Sequence, residues 1–421
     1  MDAGQKIAVV GSGIAGLSAA WLLSHKHDVT LIERFTTLGM DARSIDLGDQ
    51  RIDVPLRVFY PGYYPQLSKL YRHTHIDFES VDYGSSFSEL HQDAYFRYAN
   101  YVRGQVSVPY VTPGMFLRSG FTSMLGEVMR FFKREPAQFR DGEATGKTIT
   151  SYLRERDYSD DFIHRFMLPA MAGIGTCSYA AASDYPADIV VDYFSRGLFF
   201  SGVRRVKAGT RDVVTRLTNN VSKLILGHQV ESISPASDGV RIKLEGHEAL
   251  HFDHVILATQ ANQALDLVAP SFKTERAILS KFPYESSRVT MHRDRALAPR
   301  RKRDWSPVNF ILESGETKPM ATIWMNRVQP SLKKSADVFQ TWNPIIEPQA
   351  DKLLAEAKVE RPVVTTESVK AIEELRELRH RKSSRLWVTG SYAQWGIPLL
   401  EAAVVSAIEV SQSFGVEQPW N

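Results

Sequence analysis

Short apolar runs of two different periods punctuate the chain. Ile7–Val10 and the run DVTLIE ending at Glu33 are continuously apolar at their centres, the pattern of strands buried on both faces, and LSAAWLL between them is helical in character. Further along, VRIKLEG alternates with period two, while HFDHVILAT and RLWVTGSY are β-branched runs bounded by polar residues and glycine, so all three predict strands. The stretch from Gly114 to Gln138 predicts a helix ending at Pro136, and two further helical pieces are expected around SYLRERDY and DDFIHRFMLPAMAG, the latter capped by Asp160 or Asp161. Between residues 271 and 360, strand-like pieces such as RVTMHR, VNFILES and MATIWMNRV alternate with proline and charged turns. Near the end, LLEAAVVSAIEVSQSF predicts a buried helix, with Pro398 tolerated in its first turn.

The sharpest chemical signal joins the first two runs. Gly11-Ser12-Gly13-Ile14-Ala15-Gly16 sits where a strand turns into a helix. Gly11 permits the turn, Gly13 lets a diphosphate approach the backbone and Gly16 lets helix and strand pack closely. The helix amino end offers unpaired N–H groups to that diphosphate, and Glu33, at the end of the second strand, is placed to accept ribose hydroxyls. Strand, glycine turn, helix, strand and terminal acid together predict a dinucleotide site that disfavours a ribose 2′-phosphate. The motif alone leaves NAD and FAD open.

The residues after the acid, Leu38-Gly39-Met40-Asp41-Ala42-Arg43-Ser44, resemble an element of the flavin-containing amine oxidase superfamily, which also includes phytoene-desaturase-like enzymes. More narrowly, the chain is similar to a branch of FAD/NAD(P)-binding oxidoreductases associated with lipid metabolism in bacteria and present in fungi. Gly39 matches the first glycine of that element, Arg43 its phosphate-facing arginine and Ser44 its hydroxyl, whereas Met40 replaces its second glycine. Val206-Lys207-Ala208-Gly209-Thr210 resembles the return from substrate domain to FAD domain. The strand containing Val230 resembles the one whose backbone meets adenine. Gly390, Ser391, Tyr392 and the block Gly396–Glu401, with Pro398 and Leu399, resemble the segment approaching the ribityl chain and flavin ring. Ala15 and Arg34 belong to the same set of expected cofactor contacts.

The resemblance implies an α/β fold, a Rossmann-like FAD-binding domain interleaved with an α+β substrate domain. Residues 1–75, 206–270 and 381–421 are expected to form the first, and residues 76–205 (largely helical) and 271–380 (mixed sheet) the second. It implies FAD as cofactor and a reaction by hydride transfer to flavin on a small or medium-sized, largely apolar molecule. Amine oxidation and carbon–carbon desaturation or isomerisation both stay open, as does a flavin-bearing structural or partner-binding protein whose catalytic centre has decayed. Tyr392, Trp395, Arg57 and Tyr60 are the candidate catalytic residues. The two aromatics near the terminal block are equally readable as packing, and Arg57 as a holder of a carboxylate or as a structural ion pair. No cysteine lies near Gly390, so noncovalent FAD is expected, and no lysine can be assigned over the flavin.

Composition narrows the picture by exclusion. With 51 basic and 48 acidic residues the formal charge is +3, too near neutral to suggest a nucleic-acid partner. The single cysteine, Cys177, excludes an internal disulfide and multi-cysteine metal sites and reads as a buried spectator; no metal-ligand spacing occurs elsewhere. Without a signal sequence, a membrane-length apolar run or a lipidation motif, a cytoplasmic enzyme is expected. Its partners would be a small-molecule substrate and oxygen or another electron acceptor. Arg300–Arg303 and MRFFKRE read as a solvated loop and as a helix with one buried aromatic side.

Overall fold

The computed structural model describes residues 4–104, 106–140, 142–197, 202–381 and 384–420, with the side chains of 138–140 left out. Part of the expected helix from Gly114 to Gln138 therefore has a backbone but no described side chain at its end.

A five-stranded parallel sheet organises the amino-terminal motif. Strand β1 (Lys6–Val10) lies at its centre, flanked by β2 (Asp28–Glu33) on one side and by the strand His254–Leu257 on the other, with Lys223–Leu226 and Leu386–Val388 at the edges. Both faces are covered, which is why Ile7, Ala8 and Val9 are fully buried and the run is continuously apolar. Helix α1 (Ile14–Leu23) is buried along all ten residues, because the carboxy-terminal helix Leu400–Ser413 packs over it. Pro398 precedes that helix instead of occupying its first turn; Leu399 is the residue at its cap.

An antiparallel meander, Val230–Pro235, Val240–Leu244 and Leu250–Phe252, closes against the other side of the parallel sheet. Two helices join this core from a stretch read as strands and turns, Lys273–Leu279 and Thr366–Arg379. A capping box between Thr365 and Ser368 starts the second.

Seven further strands build a mixed sheet in the spatial order Leu353–Pro362, Tyr284–His292, Phe339–Trp342, Met320–Trp324, Val308–Leu312, Ser85–Glu89, Phe96–Arg97. A helical layer lies on it, with Phe87 and Phe166 5.0 Å apart at the junction. Helix Phe121–Arg140 runs through Pro136 and does not stop there. The preceding Glu135 is buried and held by the hydroxyls of Tyr152 and Tyr158 and by Arg156, so tertiary anchoring overrides the missing N–H. Its Phe131 is buried while Met129 faces solvent, the one-sided helix expected of MRFFKRE. Ser159, and neither Asp160 nor Asp161, caps the next helical piece by accepting the Phe162 N–H at 3.1 Å. A π-helical turn follows at Ile163–Met167. Arg300–Arg303 is exposed, with Arg300 and Arg301 paired to Asp93. Among the described residues, no helix is long and apolar enough to cross a membrane.

Candidate active site

The carboxyl ends of the parallel strands meet at one crevice, the position where open α/β sheets bind ligands. Gly11 follows β1 with φ 101°, a left-handed conformation that favours glycine. A Cβ at Gly16 would stand 1.9 Å from the Gly11 carbonyl oxygen, so the helix can pack this close to the strand only as glycine. A Cβ at Gly13 would meet nothing within 4 Å, because this residue faces the open crevice. Helix α1 has no side-chain cap and no acid in its first turn, which leaves its amino end free for an anion. Arg43 stands over the same opening. Burial and the nearby Arg34 both lower its proton affinity, so two cations crowd together where a diphosphate would be welcomed. These features fit a bound dinucleotide.

Glu33 is buried and braces the loop: it accepts from the Ser12 N–H at 3.0 Å and hydroxyl at 2.6 Å, and from the Phe35 N–H at 3.1 Å. Ser12 in turn accepts the Gly39 N–H at 2.5 Å, and Met40, in the place of a glycine, is buried with its N–H on the Ser12 carbonyl at 3.1 Å. Ser44 lies 3.2 Å from the Thr210 hydroxyl, and Thr210 also donates to Asp53 and Asp41. That cluster ties the loop to the returning segment, where Gly209 has φ 76° and a Cβ would strike Asp53 at 2.8 Å. Val230 begins the meander next to the end of β2, where the His228 N–H reaches the Glu33 carbonyl at 3.2 Å.

From Gly13 the crevice continues into a cavity of about 490 Å³ that reaches the mixed sheet. Gly13, Ala15, Gly39, Arg43, Arg57, Gly390, Ser391, Tyr392, Pro398 and Leu399 all border it, so the dispersed sequence blocks converge. Gly390 is pressed against its own neighbour, with a Cβ only 2.6 Å from the Tyr392 ring. The Tyr392 hydroxyl is buried without a hydrogen-bond partner, and the ring packs on Phe282 at 5.0 Å. Tyr60 and Trp395 are not brought to this wall. Tyr60 is buried in an aromatic cluster and donates to the Tyr193 carbonyl at 2.7 Å; Trp395 packs against the larger apolar core. Gly11, Gly16, Glu33, Arg34, Ser44 and Val230 are not among the residues that line the cavity.

Sequence reasoning missed most of the far wall. It is apolar, with Phe87, Phe166, Phe310, Ile323 and Trp342 from the mixed sheet and helical layer. It also carries Arg361, from the strand Leu353–Pro362. The readable signal was its register: on that strand Ala355, Ala357, Val359 and Arg361 share one face, so an arginine interrupts an apolar series. No lysine or histidine borders the cavity among the described residues. Burial pushes the phenols of Tyr64, Tyr193, Tyr284 and Tyr392 far up and that of Tyr98 to about 12, so they stay neutral. Cys177 is buried, and burial with Glu285 nearby pushes its thiol up to about 12, which makes it inert.

A parallel sheet with a glycine-rich turn, a mixed second sheet and a shared cavity between them define the two-part fold of the amine-oxidase type. Residues 14–357 match the family of flavin containing amine oxidoreductases, and the chain belongs to that family. No curated relative matches the sequence. Among solved structures, it is similar in fold to a provisional protoporphyrinogen oxidase from Exiguobacterium sp. 255-15, with 16% identity, TM-score 0.69 and coverage of 98% of this chain and 99% of that one. Cyclohexylamine oxidase from Brevibacterium oxydans IH-35A matches at 12% identity, TM-score 0.64 and coverage of 98% and 100%. A fatty acid isomerase from P. acnes that produces CLA matches at 15% identity, TM-score 0.64 and coverage of 96% and 97%. Three different chemistries on one fold leave the reaction to be argued from the site.

Proposed function

We propose that the chain binds FAD noncovalently along this crevice and oxidises, desaturates or isomerises a largely apolar organic molecule in the chamber beyond it. The observation that carries the reading is the continuity of one cavity, from the open face of Gly13 to the apolar wall of Phe310, Ile323 and Trp342. The first-turn N–H groups of α1 and the Arg43 guanidinium would hold the diphosphate, with Val230 beside the adenine. Bound FAD supplies a two-electron acceptor. Tyr392, Pro398 and Leu399 would bound one side of the ring, and the segment Pro55–Val58 the other. The amino end of helix Leu400–Ser413 points its partial positive charge into the same space.

The chain's own contribution is positioning and exclusion of water. Among the described residues the one carboxylate on the wall, Glu360, accepts from the Asn262 amide at 3.0 Å, and the phenols are neutral. Shape, and not a strong base, therefore selects which C–H bond is presented. Mixing the FAD-loaded protein anaerobically with amines, amino acids and unsaturated acids tests the reaction. Bleaching by an amine identifies an oxidase, and conversion without net bleaching identifies an isomerase. Silence across the panel at full FAD occupancy overturns the enzymatic reading in favour of a partner-binding flavoprotein.

A further inference from the structure

Two half-buried guanidinium groups border the cavity, with no carboxylate in ion-pair reach among the described residues. Arg57 donates to the Pro55 carbonyl at 3.0 Å within its own loop and makes no salt bridge. Arg361 makes no hydrogen bond from its side chain, and its Nε is buried without a partner. Several other largely buried arginines are paired with acids: Arg205 with Glu79, Arg379 with Glu409, Arg51 with Asp41. Arg57 and Arg361 depart from that habit.

Their surroundings strengthen the point. Burial lowers the proton affinity of both side chains, and Arg57 lowers that of Arg361 further. Asp53 and Asp41 both offset part of the charge on Arg57, although neither forms an ion pair with it. Around Arg361 stand Tyr185, Tyr64 and Cys177, whose phenols and thiol are neutral, and the buried Tyr185 hydroxyl also lacks a partner. Glu360, next in sequence, is held by Asn262. A cation without a counter-charge in a cavity wall is costly, and Arg361, on which no carboxylate acts, is favoured by whatever brings negative charge to it. Arg43 and the α1 amino end serve the diphosphate, and Arg57 lies near enough to Arg43 to feel its charge, so the cation left unmatched is Arg361. The rest of the wall mixes apolar side chains with uncharged polar ones such as Ser85, Asn100 and Gln260.

We infer that the substrate is an amphiphilic carboxylate: an apolar body lies along Phe87, Phe310, Ile323 and Trp342, and its carboxylate is held by Arg361 with Arg57 beside it. This deepens the proposed function and rests on it. A planar guanidinium suits a carboxylate because it can donate two parallel hydrogen bonds. An amine of the same shape would bring a second positive charge to a pair of cations and is disfavoured at this site.

The test compares straight-chain carboxylic acids of six to eighteen carbons with the matching methyl esters and primary amines. Binding to the FAD-loaded protein is read by perturbation of the flavin absorption spectrum and by calorimetry, without turnover. At least one acid is expected to bind more than about tenfold tighter than its ester and its amine. Arg361→Gln is expected to remove about ten- to a hundredfold of acid affinity while leaving ester affinity unchanged, and Arg361→Lys to restore part of it. Esters or amines that bind as well as the acids, or acids that do not bind at all, overturn the inference, and this comparison needs no variant. Equal acid affinity in Arg361→Gln at full FAD occupancy overturns the role of that residue. FAD content measured first separates the two levels: a protein that takes up no FAD refutes the proposed function, whereas one that is loaded with FAD but indifferent to carboxylates refutes only this inference.

Discussion

Replacing Glu401 by glutamine should change how stability responds to pH. Glu401 sits in the first turn of helix Leu400–Ser413 and reaches across to the start of helix Pro65–His73. There its two carboxyl oxygens accept the N–H groups of Gln66 at 2.8 Å and Leu67 at 2.9 Å. Those bonds favour the charged form, but burial outweighs them and raises its pKa from 4.5 to about 7. A carboxyl with a raised folded pKa binds more protons in the native than in the unfolded state between the two values. Its contribution is therefore fully present below pH 4.5 and is lost as pH rises through 7. Integrated from pH 5 to pH 8, the loss is about 2.5 kcal/mol. His254 and His292, both held down to about 4 chiefly by burial, act in the opposite sense, adding stability as pH rises through the same range. The curve of the wild type alone is thus not the test. Glu401→Gln keeps an acceptor for one N–H, cannot ionise, and leaves both histidines in place. Scanning calorimetry of both proteins at pH 5 and pH 8, at equal FAD occupancy, should show the variant gaining on the wild type by about 3 °C at the higher pH if the chain unfolds as one unit. Parallel shifts of the two proteins would refute the reasoning.

Three further outcomes follow from the geometry. Gly16→Ala must push the α1 backbone off the Gly11 carbonyl oxygen and should cost about 1–3 kcal/mol together with most of the bound flavin, read by melting temperature and by the flavin-to-protein absorbance ratio. Gly13→Leu should melt near the FAD-free wild type, because its side chain enters open space, yet fail to take up FAD; a fully occupied variant would contradict the placement. Tyr392→Phe removes a buried hydroxyl without a partner and should leave FAD content and turnover intact with stability unchanged or raised by about 1 kcal/mol, so a collapse of turnover would reveal a contact made by that hydroxyl.

The nucleotide half was legible because its constraints are local. Gly11, Gly13 and Gly16 each answer to a different neighbour within a few residues or across one strand, and that demand is written in the spacing. The substrate half was less legible because its walls come from strands remote in sequence. Phe87, Phe310 and Ile323 look like ordinary core residues until Val308–Leu312 pairs in parallel with Ser85–Glu89 and antiparallel with Met320–Trp324. Tyr60 drew attention as an aromatic near the flavin-side loop, but its hydroxyl finds the Tyr193 carbonyl on a helix far along the chain. Pro136 illustrates the same limit: local propensity ends the helix there, and a buried Glu135 anchored by two tyrosines carries it on. Arg361 was readable in principle, as the charged member of an apolar strand face, but nothing local showed that the face looks into a cavity.

The most direct measurement is the flavin content of the purified protein. Denaturation should release about one FAD per chain from a yellow preparation, identified by chromatography against FAD, FMN and NAD. A colourless protein that takes up no FAD under native conditions, or one that binds NAD stoichiometrically in its place, would contradict the account.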